Sequence, residues 1–333
     1  MSDKKQGNAF TNNPLVKAIG VQKIVVVVVL IAMIVFFSAA SPAFRQYSTV
    51  LAILDYTYYL AFLGIGVTFC LITGGVDLSI GTGMFCYALI GGYLITHKNM
   101  PVIVGIIVTL LCGLIVGTIN GLIVSRGGHA PFLATLCMMM IVRGLGAIVT
   151  GGASITWPGS TAANGWTRSL FKATINGTKV PVGLLWVLIL TIAMSIFLNK
   201  TRPGRYIIAI GSNKEATRLS GINVPKYQML AYIISGVFTG LAALAYSSSV
   251  QSMVPGGGGG VELNAIGGAI IGGTSMSGGK GTIVGTILGV FIMCVLQIGL
   301  PLVNLQANYQ QIIIGIVLIV SVYIDVLKNR KLA

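Results

Sequence analysis

The sequence predicts an all-α polytopic membrane protein of about ten transmembrane helices, arranged as two inverted five-span repeats with glycine-broken segments. Three observations carry this: a composition with very little charge, long runs with none, and two motifs that recur at the same span shift. Hydrophobic residues make up 55% of the 333 residues and charged residues 8%. A soluble globule carries roughly a quarter charged residues, so this chain could not clothe a water-facing surface. The 45 glycines follow no G-X-Y period, which excludes collagen, and the apolar content excludes disorder.

The net charge of +15 raises nucleic acid as a partner. The basic residues, however, fall between apolar runs rather than in a stripe interleaved with aromatics, so no nucleic-acid role is expected. Cys70, Cys86, Cys112, Cys137 and Cys294 all lie in apolar stretches without CxxC spacing, and His97 and His129 stand alone. Neither a disulfide framework nor a metal site is expected.

No charged residue occurs between Lys23 and Arg45, Lys98 and Arg126, Lys179 and Lys200, Lys226 and Glu262, or Lys280 and Asp325. A bilayer-crossing helix needs about 20 mostly apolar residues, so the longer gaps must fold back. Ten spans result, near 24–41, 50–73, 80–96, 101–124, 131–150, 181–198, 228–250, 262–279, 282–300 and 309–326. The first imitates a cleavable signal peptide, with Lys17 and Lys23 before an apolar run that ends in Ser38-Ala39-Ala40. Its retention is expected, because an even span count fits the charges. The chain then divides into a tail at 1–23, a transmembrane domain at 24–326 with halves at about 24–150 and 181–326, and a tail at 327–333.

Ten spans place both termini on one side. That side carries fifteen of the 21 basic residues: Lys4, Lys5, Lys17, Lys23, Arg126, Lys200, Arg202, Arg205, Lys214, Arg218, Lys226, Lys280, Lys328, Arg330 and Lys331. The other carries Arg45, Lys98, Arg168, Lys172 and Lys179. The positive-inside rule makes the first side cytoplasmic. A long outer loop, 152–180, separates the halves, and a long inner loop, 199–226, follows the sixth span.

Five spans per half is an odd number, so related halves must be inverted in the membrane. The run Ile115-Val116-Gly117-Thr118-Ile119-Asn120-Gly121 recurs as Ile283-Val284-Gly285-Thr286-Ile287-Leu288-Gly289, in spans four and nine. Gly74-Gly75-Val76-Asp77-Leu78-Ser79 resembles Gly259-Gly260-Val261-Glu262-Leu263-Asn264, between spans two and three and spans seven and eight. Chance among glycine-rich segments is the plain alternative.

Broken backbone at membrane depth must be covered by protein or line a wet cavity, and a carboxylate there must be paired or wet. Asp77 and Glu262 are therefore expected at opposite ends of a pseudo-symmetric pair. They either line a polar pathway or cap the helices that start beside them. Candidates for the pathway and its gate are Asp77, Ser79, Glu262, Asn264, Thr274 and Ser275. Arg143, within the fifth span, either snorkels to the surface or pairs inside the protein. Asp55 with Tyr56, Tyr58 and Tyr59 marks an outer interface, where aromatics collect. The run Gly272 to Gly281 lacks the spacing of a phosphate loop, since Thr occupies 274 and Gly281 follows Lys280. It is read as tight packing and a cytoplasmic turn.

The inner loop holds Ser212-Asn213-Lys214-Glu215, a capping box in which Ser212 caps and Glu215 reaches back. Ala216 and Leu219 follow as a small apolar face, Arg218 and Ser220 complete the turn, Gly221 stops it, and Pro225 prevents its resumption. The pattern predicts a helix of about two turns over 212–221, marginal alone, that either docks into a partner or lies on acidic headgroups.

At this loop the chain resembles a known family. Thr201-Arg202-Pro203-Gly204-Arg205 and Gly211-Ser212-Asn213-Lys214-Glu215-Ala216-Thr217-Arg218-Leu219-Ser220-Gly221 look like the coupling segment of the inner-membrane permeases of bacterial ABC sugar importers, the ribose, galactose, xylose and arabinose permeases. Gly74 to Ser79, Ala134-Thr135-Leu136 with Arg143-Gly144, Glu262 to Ile266, Gly272 to Ser275 and Gly278 to Thr282 match as well. The first 20 residues, the outer loop and the five glycines at 256–260 do not.

The resemblance implies a permease that dimerises, a separate cytoplasmic ATPase that binds ATP, and an extracytoplasmic sugar-binding protein. It implies no cofactor or catalytic site in this chain, and a multi-pass place in the bacterial inner membrane with both termini cytoplasmic. The expected function is ATP-driven import of a monosaccharide. The alternatives are an ion-coupled secondary transporter, or a permease of the same fold for a nucleoside or a signalling furanoside. An ion-coupled carrier wants midplane carboxylates, and spans four, six, seven and nine hold no acid.

Overall fold

The computed structural model describes residues 21–330, apart from 160, 161, 163, 164, 176 and 251. Lys4, Lys5, Lys17 and Lys331, and the side chains of Lys328 and Arg330, lie outside what is described, so the charge asymmetry is only partly placed. The described chain is helical almost throughout. In order, it runs α1 (Val21–Ala40), a 3-10 turn (Pro42–Arg45), α2 (Tyr47–Ile72), α3 (Ile80–Thr96), α4 (Val102–Ser125) and α5 (Pro131–Thr150). A short turn α6 (Trp166–Ser169) and the antiparallel hairpin β1 (Ala173–Ile175) and β2 (Thr178–Val180) follow. The second half holds α7 (Gly183–Lys200), α8 (Arg202–Ser212), α9 (Lys214–Leu219), α10 (Val224–Ser249), α11 (Val261–Ile271), α12 (Ile283–Leu302) and α13 (Ala307–Arg330).

Eight of these helices are long and apolar enough to cross a membrane: α1, α2, α4, α5, α7, α10, α12 and α13. Two apolar helices are shorter, α3 with 17 residues and α11 with 11. At 1.5 Å per residue they reach about 26 Å and 17 Å, short of a 30 Å hydrocarbon core. The span expected at 262–279 is thus corrected to a half-length helix. Its end is set by glycine: Gly273, Gly278 and Gly279 hold φ of +98°, +85° and +73°, which continues no helix. The chain turns there, with the Ser275 N–H donating to the Lys280 carbonyl at 3.0 Å.

α2 is the central post. From Thr57 to Ile72 every residue is buried, as a helix apolar on all sides requires. Its start is fixed by the Tyr47 hydroxyl, which donates to the Lys179 carbonyl at 2.6 Å. Its end is fixed by the Gly279 N–H, which donates to the Ile72 carbonyl at 2.9 Å. The connection between the halves therefore caps one end of the post and the turn after α11 holds the other.

The helix contacts largely follow a five-span shift. α4 packs on α10 as α12 packs on α2, α3 on α4 as α11 on α12, and α3 on α10 as α11 on α2. The first spans of the two halves depart from it: α1 packs on α12, whereas α7 packs on α2 and α12. Both copies of the repeated glycine run make close seams, because small residues let backbones approach. A Cβ on Gly236 of α10 would come within 2.7 Å of the Gly117 backbone, and one on Gly289 within 2.8 Å of the Gly272 nitrogen. The neighbours differ, however: Gly117 faces α10 and Gly289 faces α11.

The connection 152–182 is more than a loop. Ile155 bridges Met253, and the Trp157 indole N–H donates to the Ala88 carbonyl at 2.9 Å. Lys172 pairs with Asp55 of α2 at 2.6 Å. These contacts strap this segment over α2, α3 and the end of α10.

Candidate functional site: a junction of two helix starts and an exposed helical peg

α3 and α11 begin at the same place inside the bundle. After α2 ends, the chain turns at Thr73 and Gly74, runs on without helix through residues 75–79, and α3 starts at Ile80. From the far side, Gly256 to Gly260 enter with φ of +78°, +89° and +91° at Gly256, Gly258 and Gly260, and α11 starts at Val261. The starts meet face to face. A Cβ on Gly81 would land on the Glu262 carboxylate and 2.6 Å from the Gly258 carbonyl oxygen, and Phe85 lies against Gly257 and Gly258. Only glycine permits this approach at 81. Two helix N-termini, each carrying partial positive charge, thus converge on one spot.

Glu262 stands at that spot, and Asp77 finds its partners on α4 and α10. Matched by helix start, Glu262 corresponds to Gly81 rather than to Asp77. Asp77, 1% exposed, lies before α3. Its Oδ1 accepts the Ser79 N–H at 3.1 Å and the Ser79 hydroxyl at 2.6 Å, and its Oδ2 accepts the Ser235 hydroxyl at 2.8 Å. Asn120 donates to the Ser79 hydroxyl at 2.9 Å. Asp77 therefore pins α2–α3, α4 and α10 together. Glu262, 7% exposed, reaches back so that its Oε1 accepts the Gly260 N–H at 2.9 Å. Its Oε2 is buried without a hydrogen-bond partner among the described residues.

Aromatics surround the junction. Asn264 donates its amide to the Tyr56 hydroxyl at 3.0 Å. Tyr56 packs edge-on to Tyr59 at 5.0 Å, Tyr59 to Tyr246 at 5.2 Å, and Tyr246 lies 4.5 Å from Phe85. The tyrosines read as an outer-interface belt are thus corrected. Tyr58 is fully buried and Tyr59 is 7% exposed, because α2 is surrounded by protein. Tyr246 and Phe85 carried no signal in the sequence beyond being aromatic.

Two candidates lie elsewhere. Thr274, fully buried, sits 3.4 Å from Thr286, whose hydroxyl meets Thr68 at 2.7 Å. Ser275 donates to the Asp325 carboxylate at 3.1 Å. Their partners are α2, α12 and α13, not the junction. Arg143 is exposed on α5 with its guanidinium beside Gly256.

The inner segment forms two helices where one was expected. Thr201 caps α8 through the Gly204 N–H, Pro203 sits in the first turn, and Ile207 and Ile210 are buried. Ser212 is the last residue of α8, and its hydroxyl donates back to the Ile208 carbonyl at 3.1 Å. It is not the cap. Asn213 takes that role, accepting the Ala216 N–H at 2.9 Å. Glu215 does not reach back either, since Arg218 holds it at 2.5 Å. That guanidinium keeps the exposed Glu215 carboxyl below the usual range, so the pair persists above ordinary glutamate titration and is lost as pH falls. Gly221, with φ +79°, ends α9. Pro225 opens α10 in its first turn rather than blocking a helix.

α9 is thus six residues long, capped at both ends, with Ala216 exposed and Leu219 77% exposed. Its base is firm. Gly211 and Ser212 pack against Ile72, Gly278 and Gly279, so the peg stands on the end of α2 and the turn after α11.

A bundle of apolar helices, with two broken helices meeting inside it and a rigid peg on one face, defines a multi-pass membrane permease. The chain belongs to the family described as branched-chain amino acid transport system / permease component, whose model matches residues 49–322. It is similar to the ribose import permease protein RbsC of Escherichia coli (strain K12), 34% identical over 313 residues that cover 91% of this chain and 92% of the relative. It is also similar to RbsC of Bacillus subtilis (strain 168), at 33% with 89% and 90% covered, and to the xylose transport system permease protein XylH of Escherichia coli (strain K12), at 29% with 95% and 94% covered. No solved structure matches. Family membership makes the chain a transport subunit rather than an enzyme, and the likeness to the sugar permeases stands.

Proposed function

We propose that this chain is the permease subunit of an ATP-driven importer that carries a monosaccharide across the bacterial inner membrane. The observation that carries the reading is the peg: a helix too short to stand alone, capped at both ends, whose apolar Leu219 points away from its own fold. A hydrophobic tip of this kind calls for a groove in a partner. The family description covers amino-acid permeases, but the relatives above are ribose and xylose permeases, and they support a sugar.

In this reading a cytoplasmic ATPase subunit binds ATP and grips α9, and the chain itself needs no cofactor. Movement of α9 passes through Gly211 and Ser212 to the end of α2 and the turn after α11. An extracytoplasmic binding protein delivers sugar to the far side, and two permease subunits, identical in the simplest case, alternate access. Both termini are cytoplasmic. The junction supplies what a neutral polyhydroxylated ligand needs: aromatic faces at Tyr59, Tyr246 and Phe85, the Asn264 amide, and an unpartnered carboxylate oxygen on Glu262.

The test is Leu219→Asp. It places a charge on the tip and touches no buried contact, so membrane insertion and thermal stability should match the parent. Sugar uptake and co-purification of the ATPase should both be lost. Uptake at the parental rate would end the coupling role.

A further inference from the structure

Beyond that function, the peg side of the molecule holds a groove that no part of the import reading uses. It lies between the end of α4 and the start of α10, with a volume of about 500 Å³. Its rim carries Arg126 and Lys226, and Asn223 beside them. Met229, Leu230 and Ile233 line the rest, at steps of about one and two turns up α10 from Lys226. Arg126 and Lys226 are exposed, and neither forms an ion pair among the described residues. Among the described residues, no acidic side chain lines the groove. The Lys226 ammonium lies 5.7 Å from the Tyr227 ring, an aromatic placed where membrane interfaces favour one.

We propose that this groove binds an anionic phospholipid, with its phosphate between Arg126 and Lys226 and an acyl chain along Met229, Leu230 and Ile233. The polarity gradient is the argument. Two unneutralised cations at the end of two spans attract a phosphate and not a second cation. The apolar wall continuing along α10 suits a hydrocarbon tail and not a soluble anion. Basic sites between spans on this face take acidic headgroups for the same reason, and each cation near an anionic surface contributes to the preference. Asn223 is already engaged, since its side chain accepts the Lys226 N–H at 3.1 Å, so it holds the start of α10 in place.

The experiment uses the full chain, purified and returned to bilayer nanodiscs, with bound lipid read by native mass spectrometry after competition between phosphatidylglycerol and phosphatidylcholine. The parent should retain phosphatidylglycerol selectively. Arg126→Ala with Lys226→Ala should lower that selectivity about thirtyfold, and each single variant about fivefold, as expected for two additive surface charges. The charge-keeping pair Arg126→Lys and Lys226→Arg should retain it. Circular dichroism melting in phosphatidylcholine should not separate the variants from the parent, because both side chains are exposed. Equal retention of the two lipids by the parent, or undiminished selectivity in the double alanine variant, would overturn the proposal. So would displacement of the lipid by inorganic phosphate alone, which would assign the cations to a free anion.

Discussion

Asp77 and Glu262 flank the start of one helix, are both nearly inaccessible, and are engaged in opposite ways. Asp77 has both oxygens occupied by hydroxyls and an amide from two separate elements, α10 and the loop before α3. Glu262 has one oxygen held by its own loop and the other unpartnered. A buried polar group without a partner costs roughly 1–3 kcal/mol. A ligand hydroxyl that donated to the atom would offset that cost. The difference separates a carboxylate that ties helices together from one that stands at the junction with an oxygen to spare.

The largest effect that would break this contrast is at Asp77. Asp77→Ala strips the acceptor from the Ser79 hydroxyl, the Ser79 N–H and the Ser235 hydroxyl at once. Three stranded donors at 1–3 kcal/mol each amount to at least about 3 kcal/mol. The expected outcome is a sharp fall in folded, monodisperse protein, read by size-exclusion chromatography in detergent. A variant as stable as the parent would show that Asp77 does not hold α10 to α3.

Gly81→Ala comes next. Its methyl group would meet the Glu262 carboxylate, which can swing aside, and the Gly258 carbonyl and Glu262 nitrogen, which are backbone and cannot. Overpacking of this kind costs about 1–3 kcal/mol. Thermal stability should fall by less than in Asp77→Ala, and uptake should fall with it, because the two helix starts are forced apart. Unchanged melting and uptake would mean that the two starts are not in contact.

The spans were legible because hydropathy is a local property. Nine of the ten boundaries agree with the helices to within a few residues, and the tenth failed where Gly272 and Gly273 broke a run that hydropathy reads as continuous. The peg was legible through Gly221 and the Ser212-to-Glu215 pattern, but its cap was misplaced by one residue. The reason is α8: with Ser212 already closing a helix, Asn213 is the first residue free to cap the next. Thr201, Pro203 and the buried pair Ile207 and Ile210 were the signal for α8. The junction was legible only in part. Asp77, Ser79, Glu262 and Asn264 sit beside glycines, which mark broken backbone. Tyr56, Tyr59, Phe85 and Tyr246 come from three helices far apart in sequence, and no local period brings them together. The belt rule misled at Tyr58 and Tyr59 because it presumes a helix that faces lipid, and α2 does not.

The smallest structural effect, and the sharpest test of the contrast, is expected at Glu262. Glu262→Gln keeps the shape and keeps an oxygen for the Gly260 N–H. The atom it changes has no donor to lose, so folded yield and melting should equal those of the parent. Transport should not. A sugar hydroxyl that donates to a carboxylate makes a charge-assisted bond about twice as strong as one to a neutral amide. Losing that surplus, about 1.4 kcal/mol, lowers uptake about tenfold. Asp77→Ala and Glu262→Gln then separate along two axes, one losing protein and the other losing transport. If Glu262→Gln destabilised the chain as Asp77→Ala does, the unpartnered oxygen would be structural after all. If it carried sugar at the parental rate, the carboxylate would have no part in the pathway.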